Sequence, residues 1–548
     1  MINLEECNRY KKELLKKYKT SIIRNSFIVL ASVILEILAP IIFKGIFAKH
    51  ENAIEFNNSI IWFLIIFTLS YVVRILSIWI SSKFSLKFRI EETEELYKKM
   101  FKVKYKKLNS FTPVYLVDRL SNSINVISDL IVQNIPKLIV SIIAICTIFI
   151  LIFKVNKGLF ILNLLLMIAY YFGKKRLTYK LGVKSQHMQK LCSENFKNVL
   201  AVTSNVDYIK QSGDNTWLIS LIKGYVKNIE NEIYSVNKYA QYISSVIEYL
   251  INLIQSLTYI YLVYLYMDHK ILMSDLIYIN LINSIFFAKL QELAKINVDL
   301  RDLKGALNFI ENELIANEEE TGSILIDEIN NISAKNIKLG YEKELIKEGN
   351  FSNNKGDIVY IKGKSGVGKS TLTKTFNKML ESNFIKINGI DLKELNNDSL
   401  RNRISILSQN IFMLPISIKD NILLGREVSE DKFNHIINKP FMKKFLELDD
   451  KLDTIINENG SNLSGGDKQK IALARILIDD PDIIILDEST NSIDESTAKE
   501  ILDDVMETFS DKIIYIISHD NYAYKYCNNT LEINEKNLSQ YNLVNKEL

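Results

Sequence analysis

Apolar residues are unevenly spread along this chain. Six long apolar runs crowd its first half, at about residues 22–47, 59–81, 134–154, 158–173, 246–267 and 271–293. Each meets or approaches the roughly 20 residues a helix needs to cross a bilayer. The second reads SIIWFLIIFTLSYVVRILSIWIS and the third NIPKLIVSIIAICTIFILIF. The fourth is short but ends on Tyr170, Tyr171 and the basic run Lys174, Lys175, Arg176, an aromatic and basic edge suited to a membrane interface. The links after runs two and four are long, roughly 52 and 72 residues, and the others are short. The long links keep a helical period, so they read as membrane helices extended into water. Pro113, in NSFTPVYLVDRL, marks a turn between two such extensions. The long links are rich in Lys and Arg, including Lys83, Lys87, Arg89, Lys98 and Lys99, and the N-terminus is also basic. Positive residues favour the inner side, which places the N-terminus, both long links and the C-terminal half in the cytoplasm. An even number of spans requires that agreement.

Beyond about residue 330 the pattern changes to short apolar strands alternating with helix-forming stretches. The predicted fold is an N-terminal all-α polytopic membrane domain of six transmembrane helices over residues 1–310. A connector at 311–330 leads to a C-terminal α/β domain at 331–548. Composition adds little to this. The 548 residues are 48% hydrophobic, ordinary for a soluble protein, and only the segregation of that content is informative. A net charge of +4 gives no support for nucleic acid as a partner. The four cysteines show no CxxC spacing and suggest neither a disulfide framework nor a zinc site. The first 20 residues are charged and no small-residue cleavage site follows the first run, so a retained membrane helix is expected instead of a cleaved signal.

Polar residues inside the runs are candidates for a pathway, because ionisable groups in lipid face a cavity or a partner. Glu36 lies in the first run and Arg74 in the second. In the fifth, Glu248, Asn252, Gln255 and Tyr259 share one helix face. In the sixth, Asn280, Asn283 and Ser284 do likewise. A polar pathway and hydrogen bonding between helices both account for them, and the stripe on the fifth run favours the pathway.

The C-terminal half carries the chemistry. Residues 357–371 read DIVYIKGKSGVGKST, an apolar strand entering GxxxxGK[ST] and then a helix. Across Gly363, Lys364, Ser365, Gly366, Val367, Gly368, Lys369, Ser370 and Thr371, such a loop turns backbone amides toward phosphate oxygens. Lys369 reaches the terminal phosphates and Ser370 offers its hydroxyl to Mg²⁺. DIIILDE at 482–488 makes a buried strand that ends on Asp487, placed to hold Mg²⁺, and Glu488, placed to polarise a water. A further apolar strand, KIIYIISHD, ends at His519.

LSGGD at 463–467 resembles the signature sequence of the ATP-binding cassette (ABC) family, usually LSGGQ. Its Ser464 stands 23 residues before Asp487. The resemblance runs through the whole half. Gln409 after RISILSQ matches the Q-loop glutamine, NSID at 491–494 the D-loop, and His519 the switch histidine. Tyr341 matches the aromatic that stacks on adenine, and Glu458 falls at the acidic position of an exporter-type stretch. Six spans, two long cytoplasmic links and the charged connecting helix DLRDLKGALNFIENEL also look like the exporter-type half transporter. The resemblance implies an ABC-type P-loop NTPase domain that binds ATP with Mg²⁺. Glu488, His519, Gln409 and Lys369 are then catalytic, and Ser370, Gln409 and Asp487 hold the metal. Ser464, Gly465 and Gly466 are presented to the γ-phosphate bound by a second copy. It also implies short coupling helices, expected at SFTPVYL near Pro113 and around Asp207–Trp217. Two departures stand out: Asp467 replaces the usual Gln and Lys470 the common Arg.

Neither the phosphate loop nor the signature completes a site alone, so the expected partner is a second half transporter, the same chain or a different one, within a lipid bilayer. The cargo is left open among a peptide, a drug-like amphiphile and a lipid, with no processing of it by this chain expected. An exporter-shaped importer of a small chelate and a non-transporting regulatory ATPase are the alternatives. Heavy use of Ile, Lys and Asn points to an AT-rich bacterium, and together with the family resemblance this implies a bacterial plasma membrane, the ATPase half facing the cytoplasm.

Overall fold

A computed structural model of the chain describes residues 9–48, 53–340, 344–382, 384–408, 411–488, 495–518 and 521–542. Two compact units emerge, Met1–Val103 with Lys107–Glu318 and Lys104–Lys106 with Glu319–Leu548.

The first unit is built of helices: α1 (Arg9–Lys17), α2 (Lys19–Ala48), α3 (Ala53–Phe101), α4 (Tyr105–Asn109), α5 (Pro113–Asp129), α6 (Ile135–Val155), α7 (Lys157–Thr203), α8 (Val206–Gln211), α9 (Thr216–Met267) and α10 (Met273–Asn308). Among the described residues, four stretches are long and apolar enough to cross a membrane: Lys19–Gly45, Ile60–Phe101, Pro113–Val155 and Thr216–Met267. The remaining two expected spans fall on α7 and α10. The run on α7 is short, and Asn280, Asn283, Ser284, Lys289 and Glu292 dilute the one on α10. A short helix does lie at α8, within the stretch expected around Asp207–Trp217. At SFTPVYL no separate short helix forms among the described residues, and the short α4 ends just before it. Thr112 is instead the N-cap of α5 and Pro113 opens it, since proline has no N–H to lose in a first turn.

α5 and α6 join through a π-helical turn, Leu130–Asn134, just before Pro136. Proline has no N–H, so the Val132 carbonyl four residues back loses its helical donor. Asn25 of α2 replaces it: its side-chain amide donates to the Val132 oxygen at 2.7 Å, and its own oxygen accepts from Ser81 of α3 at 2.9 Å. One buried asparagine thereby ties three helices at the break. α1 is fastened similarly. Tyr10, Lys17 and Tyr18 all donate to the buried carboxylate of Glu92. An apolar core centred on Ile37, Ala144, Ile148, Leu262 and Phe286 joins α2, α6, α9 and α10.

Among the described residues the second unit holds thirteen strands: β1 (Asn331–Ala334), β2 (Leu339–Gly340), β3 (Glu344–Ile346), β4 (Glu348–Gly349), β5 (Phe351–Asn354), β6 (Ile358–Lys362), β7 (Ile385–Ile387), β8 (Ile390–Asp391), β9 (Ile404–Leu407), β10 (Ile483–Asp487), β11 (Ile513–Ile517), β12 (Asn529–Asn534) and β13 (Asn537–Asn542). Seven form one sheet in the order β4-β13-β12-β6-β11-β10-β9, and four form an antiparallel sheet, β5-β1-β7-β8. In the larger sheet β12, β6, β11, β10 and β9 run parallel. Parallel strands buried on both faces read as continuous apolar runs, and alternate residues enter opposite cores. Ile483 and Ile485 join a core with Phe376 and Phe351. Ile484 and Leu486 join a second core with Phe441 and Ile471. Among the described residues, α-helices α11 (Lys369–Phe376), α12 (Asn397–Arg401), α13 (Ile418–Leu423), α14 (Glu430–Ile437), α15 (Lys443–Leu446), α16 (Gly465–Asp479), α17 (Glu495–Thr508) and α18 (Asn521–Tyr524) accompany the strands.

Candidate functional site

β6 and β10 flank β11 in parallel, so all three carboxyl ends open on one edge of the sheet. There β6 passes into the loop 363–368, and α11 begins at Lys369. Glycines make the loop possible, and Gly366 turns at φ +80°. Gly368 takes φ +113°, a left-handed conformation that side chains resist. A Cβ on Gly363 would meet Val367 Cγ2 at 2.8 Å and the Ile533 carbonyl oxygen at 3.0 Å. Lys369 is buried, and its ammonium donates to the Gly363 carbonyl at 2.7 Å, closing the loop on itself. Loop amides, a helix N-terminus and a lysine together make an anion site suited to phosphate.

Asp487 ends β10, and the Ser370 hydroxyl hydrogen-bonds to its carboxylate. Burial pushes this carboxyl above the usual range. The Ser370 bond acts the other way, and the charge of Glu488 adds to the rise. Carboxylate and hydroxyl oxygens are the hard donors Mg²⁺ takes, so the pair fits that ion. Among the described residues no cluster of three His, Cys, Asp or Glu forms a larger metal cage. Such a cage is unnecessary where substrate phosphates and water supply the other ligands.

Glu488 follows at φ +49°, unusual for a residue with a side chain. Its amide donates to the Ile517 carbonyl at 2.8 Å, which fixes it to the end of β11. Tyr360 of β6 donates to the Ser518 carbonyl at 2.6 Å, so the strand that feeds the loop is tied to the segment entering position 519. Tyr341, Gln409, His519 and the stretch 491–494 lie outside the described residues.

The signature segment opens α16. Ser464 is the N-cap, its hydroxyl accepting from the Asp467 amide at 3.2 Å, while the Ser464 amide and hydroxyl donate to the Asp467 carboxylate at 3.2 and 2.6 Å. This reciprocal capping box leaves Gly465 and Gly466 in the first turn, where amides have no partner within the helix. Lys444 on α15 joins this segment without any signal in the sequence. Its ammonium donates to both Asp467 oxygens, at 2.8 and 2.7 Å. Nothing local marks such a pair, since the two residues stand on different helices.

In the helical unit, a cavity of about 810 Å³ is lined in part by Phe63, Phe67 and Tyr71. Its wall also carries Glu36, Arg74, Lys137, Lys289 and Glu292. Glu36 and Arg74, expected inside the first two spans, approach each other to 3.9 Å there. On α9, Glu248 and Asn252 are exposed, and half-buried Gln255 donates to the Tyr259 hydroxyl. On α10 the outcome is split. Ser284 is exposed, whereas Asn283 is fully buried and bonds Asn163 of α7 at 3.3 Å, joining helices.

Fold and site together define a phosphate-loop nucleotide-binding unit fused to a bundle of membrane-length helices. The chain belongs to the ABC transporter family. The family model described as ABC transporter transmembrane region matches residues 8–290, more than half the chain, and that described as ABC transporter matches 346–491. Similar proteins include the ATP-dependent lipid A-core flippase of Vibrio parahaemolyticus, 32% identical over 34% of this chain and 34% of its own length. Another is the SPbeta prophage-derived sublancin-168-processing and transport ATP-binding protein SunT of Bacillus subtilis, 28% identical over 50% of this chain and 40% of its own. An uncharacterized ABC transporter ATP-binding protein of Bacillus subtilis, YwjA, is 32% identical over 34% of each. These alignments span about a third to two fifths of the curated relatives. Among solved structures, a bacterial Atm1-family ABC exporter with ATP bound superimposes with a TM-score of 0.85, 18% identity, and coverage of 97% of this chain and 96% of the other. That likeness is one of fold, the exporter type.

Proposed function

We propose that this chain is one half of an ATP-hydrolysing exporter that works as a dimer in a bacterial plasma membrane. The observation that carries the reading is the junction of Ser370, Asp487 and Glu488 at the mouth of the phosphate loop. Loop amides and Lys369 hold the triphosphate. Ser370 and Asp487 would hold Mg²⁺, which supplies charge neutralisation at the phosphates when bound. Glu488 orients the attacking water and accepts its proton, and Lys369 steadies the charge that develops on the transferred phosphoryl group. Gln409, His519 and Tyr341 keep the roles implied by family resemblance: positioning of water and metal, contact with the terminal phosphate, and stacking on adenine. Ser464, Gly465 and Gly466 complete the site of the second copy. ATP binds the closed pair better than the open one, and only such differential binding moves a conformational equilibrium.

The cargo reading is an amphipathic molecule. The cavity in the helical unit offers both aromatic and charged side chains, which suits a molecule with both characters. The names of a lipid A-core flippase and of a sublancin-168-processing and transport protein among the relatives are compatible with that class. The test is ATP hydrolysis by the purified chain in lipid nanodiscs, with its native mass determined. An active dimer whose rate rises with an added amphiphile supports the proposal. An inactive monomer would turn it toward a missing partner half. An active dimer that answers no amphiphile would favour a regulatory ATPase.

A further inference from the structure

The acidic signature sets an electrostatic problem that a glutamine there would not. Asp467 is 6% exposed at the third position of α16. In the dimer proposed above, on which this inference rests, that helix head meets the triphosphate bound by the other copy. A buried carboxylate there repels the phosphates, and it also holds the Ser464 hydroxyl.

We infer that Lys444 is the counter-charge that makes this signature usable. Its ammonium spans both carboxylate oxygens, and among the described residues no other charged side chain pairs with Asp467. Its own side chain is 57% exposed, so the pair stands at a surface and not deep in a core. Three donors crowd one oxygen of Asp467: Lys444, the Ser464 hydroxyl and the Ser464 amide. With Lys444 holding both oxygens, the carboxylate stays satisfied when the serine hydroxyl turns to a phosphate. Without Lys444, releasing the serine strips a buried anion of a donor just as a second anion arrives, and closure on ATP becomes harder. Lys444 is thus a positioning residue. It acts through Asp467 on the affinity of the closed state and touches neither the phosphate loop nor Glu488.

The experiment is a double-mutant cycle in nanodiscs on the full chain: wild type, Lys444→Met, Asp467→Asn and the double variant, with Lys444→Arg as the conservative control. Asparagine keeps an acceptor for Ser464 and removes the charge. Lys444→Met should raise the ATP concentration for half-maximal hydrolysis by about tenfold, with a much smaller change in kcat. In the Asp467→Asn background the same change should do almost nothing, because there is no charge left to balance. Lys444→Arg should stay near wild type. Binding of trinitrophenyl-ATP, read at the phosphate loop, should be equal in wild type and Lys444→Met. An unchanged half-saturation in Lys444→Met overturns the inference. So does an equal loss in both backgrounds, which would mean that the lysine serves the fold or meets nucleotide directly. If the wild-type dimer itself hydrolyses no ATP, the exporter reading fails and takes this inference with it. Loss confined to the lysine variant leaves that reading intact.

Discussion

Two substitutions at Glu488 separate its chemistry from its backbone. The residue holds φ +49°, and the left-handed conformation costs a side-chain-bearing residue about 1–2 kcal/mol. Glu488→Gln keeps the backbone, the amide bond to Ile517 and the side-chain size, and removes only the proton acceptor. Its hydrolysis should fall by roughly 10²–10⁴-fold, the usual worth of a general base, while nucleotide binding holds within about threefold. Glu488→Gly loses the same chemistry but relieves the left-handed strain. Glycine returns about 0.5–1 kcal/mol through its greater unfolded-state freedom, so the net gain should be on the order of 0.5–1 kcal/mol. Hydrolysis, binding of a fluorescent ATP analogue and thermal unfolding in one lipid preparation give all three readouts. The glycine variant should be as inactive as the glutamine variant and melt higher. If Glu488→Gln keeps more than a tenth of wild-type turnover, this residue is not the base. If Glu488→Gly melts below Glu488→Gln, the strain is not stored at this residue.

Removing the Lys369 ammonium by Lys369→Ala should weaken ATP binding itself by at least about tenfold, measured by nucleotide titration, because the loop loses the ammonium that reaches the phosphates. Asn25→Ala strands the buried Val132 carbonyl and should cost about 1–3 kcal/mol in thermal or denaturant unfolding, and less in a Pro136→Ala background that returns an N–H to the helix. Burial alone would raise the Asp467 carboxyl, but Lys444 and Ser464 more than offset it and hold it below the usual carboxylate range. That contribution to stability is present above the unfolded value and is lost as pH falls through the lower folded one. Asp467→Asn should therefore melt below wild type at neutral pH, and the two melting temperatures should converge on acidification. Changing Asn252 and Gln255 to Leu should alter stimulation by cargo and leave basal hydrolysis intact; if stimulation is unchanged, the α9 stripe is packing.

What could be read from the chain was local and periodic. The long apolar runs marked the helices of the first unit because a bilayer-length run has few other uses. The runs DIVYIK, DIIILD and KIIYII became β6, β10 and β11 because strands buried on both faces need no polar alternation. The phosphate loop was legible because its glycines answer to backbone geometry: φ +113° at Gly368 and a 2.8 Å approach at Gly363 leave the chain little choice of residue.

What escaped were pairs of distant residues whose partners only the fold selects. Asn283 matched the pathway pattern on α10 as well as Ser284 did, yet its neighbour turned out to be Asn163 on α7, and a polar residue in a span means pathway or packing according to what it meets. No separate short helix forms at SFTPVYL because Thr112 and Pro113 are better at starting α5 than at continuing a turn. Lys444 is the sharpest case. As one lysine among many on a short helix it carries no signal, and Asp467 alone reads as a weakened signature. Placed 2.7 Å apart they become a neutral unit, so the departure in the motif and its compensation are legible only together. A substitution inside a recognised motif should therefore be judged with the side chain that faces it, because that neighbour decides whether the altered charge remains a charge.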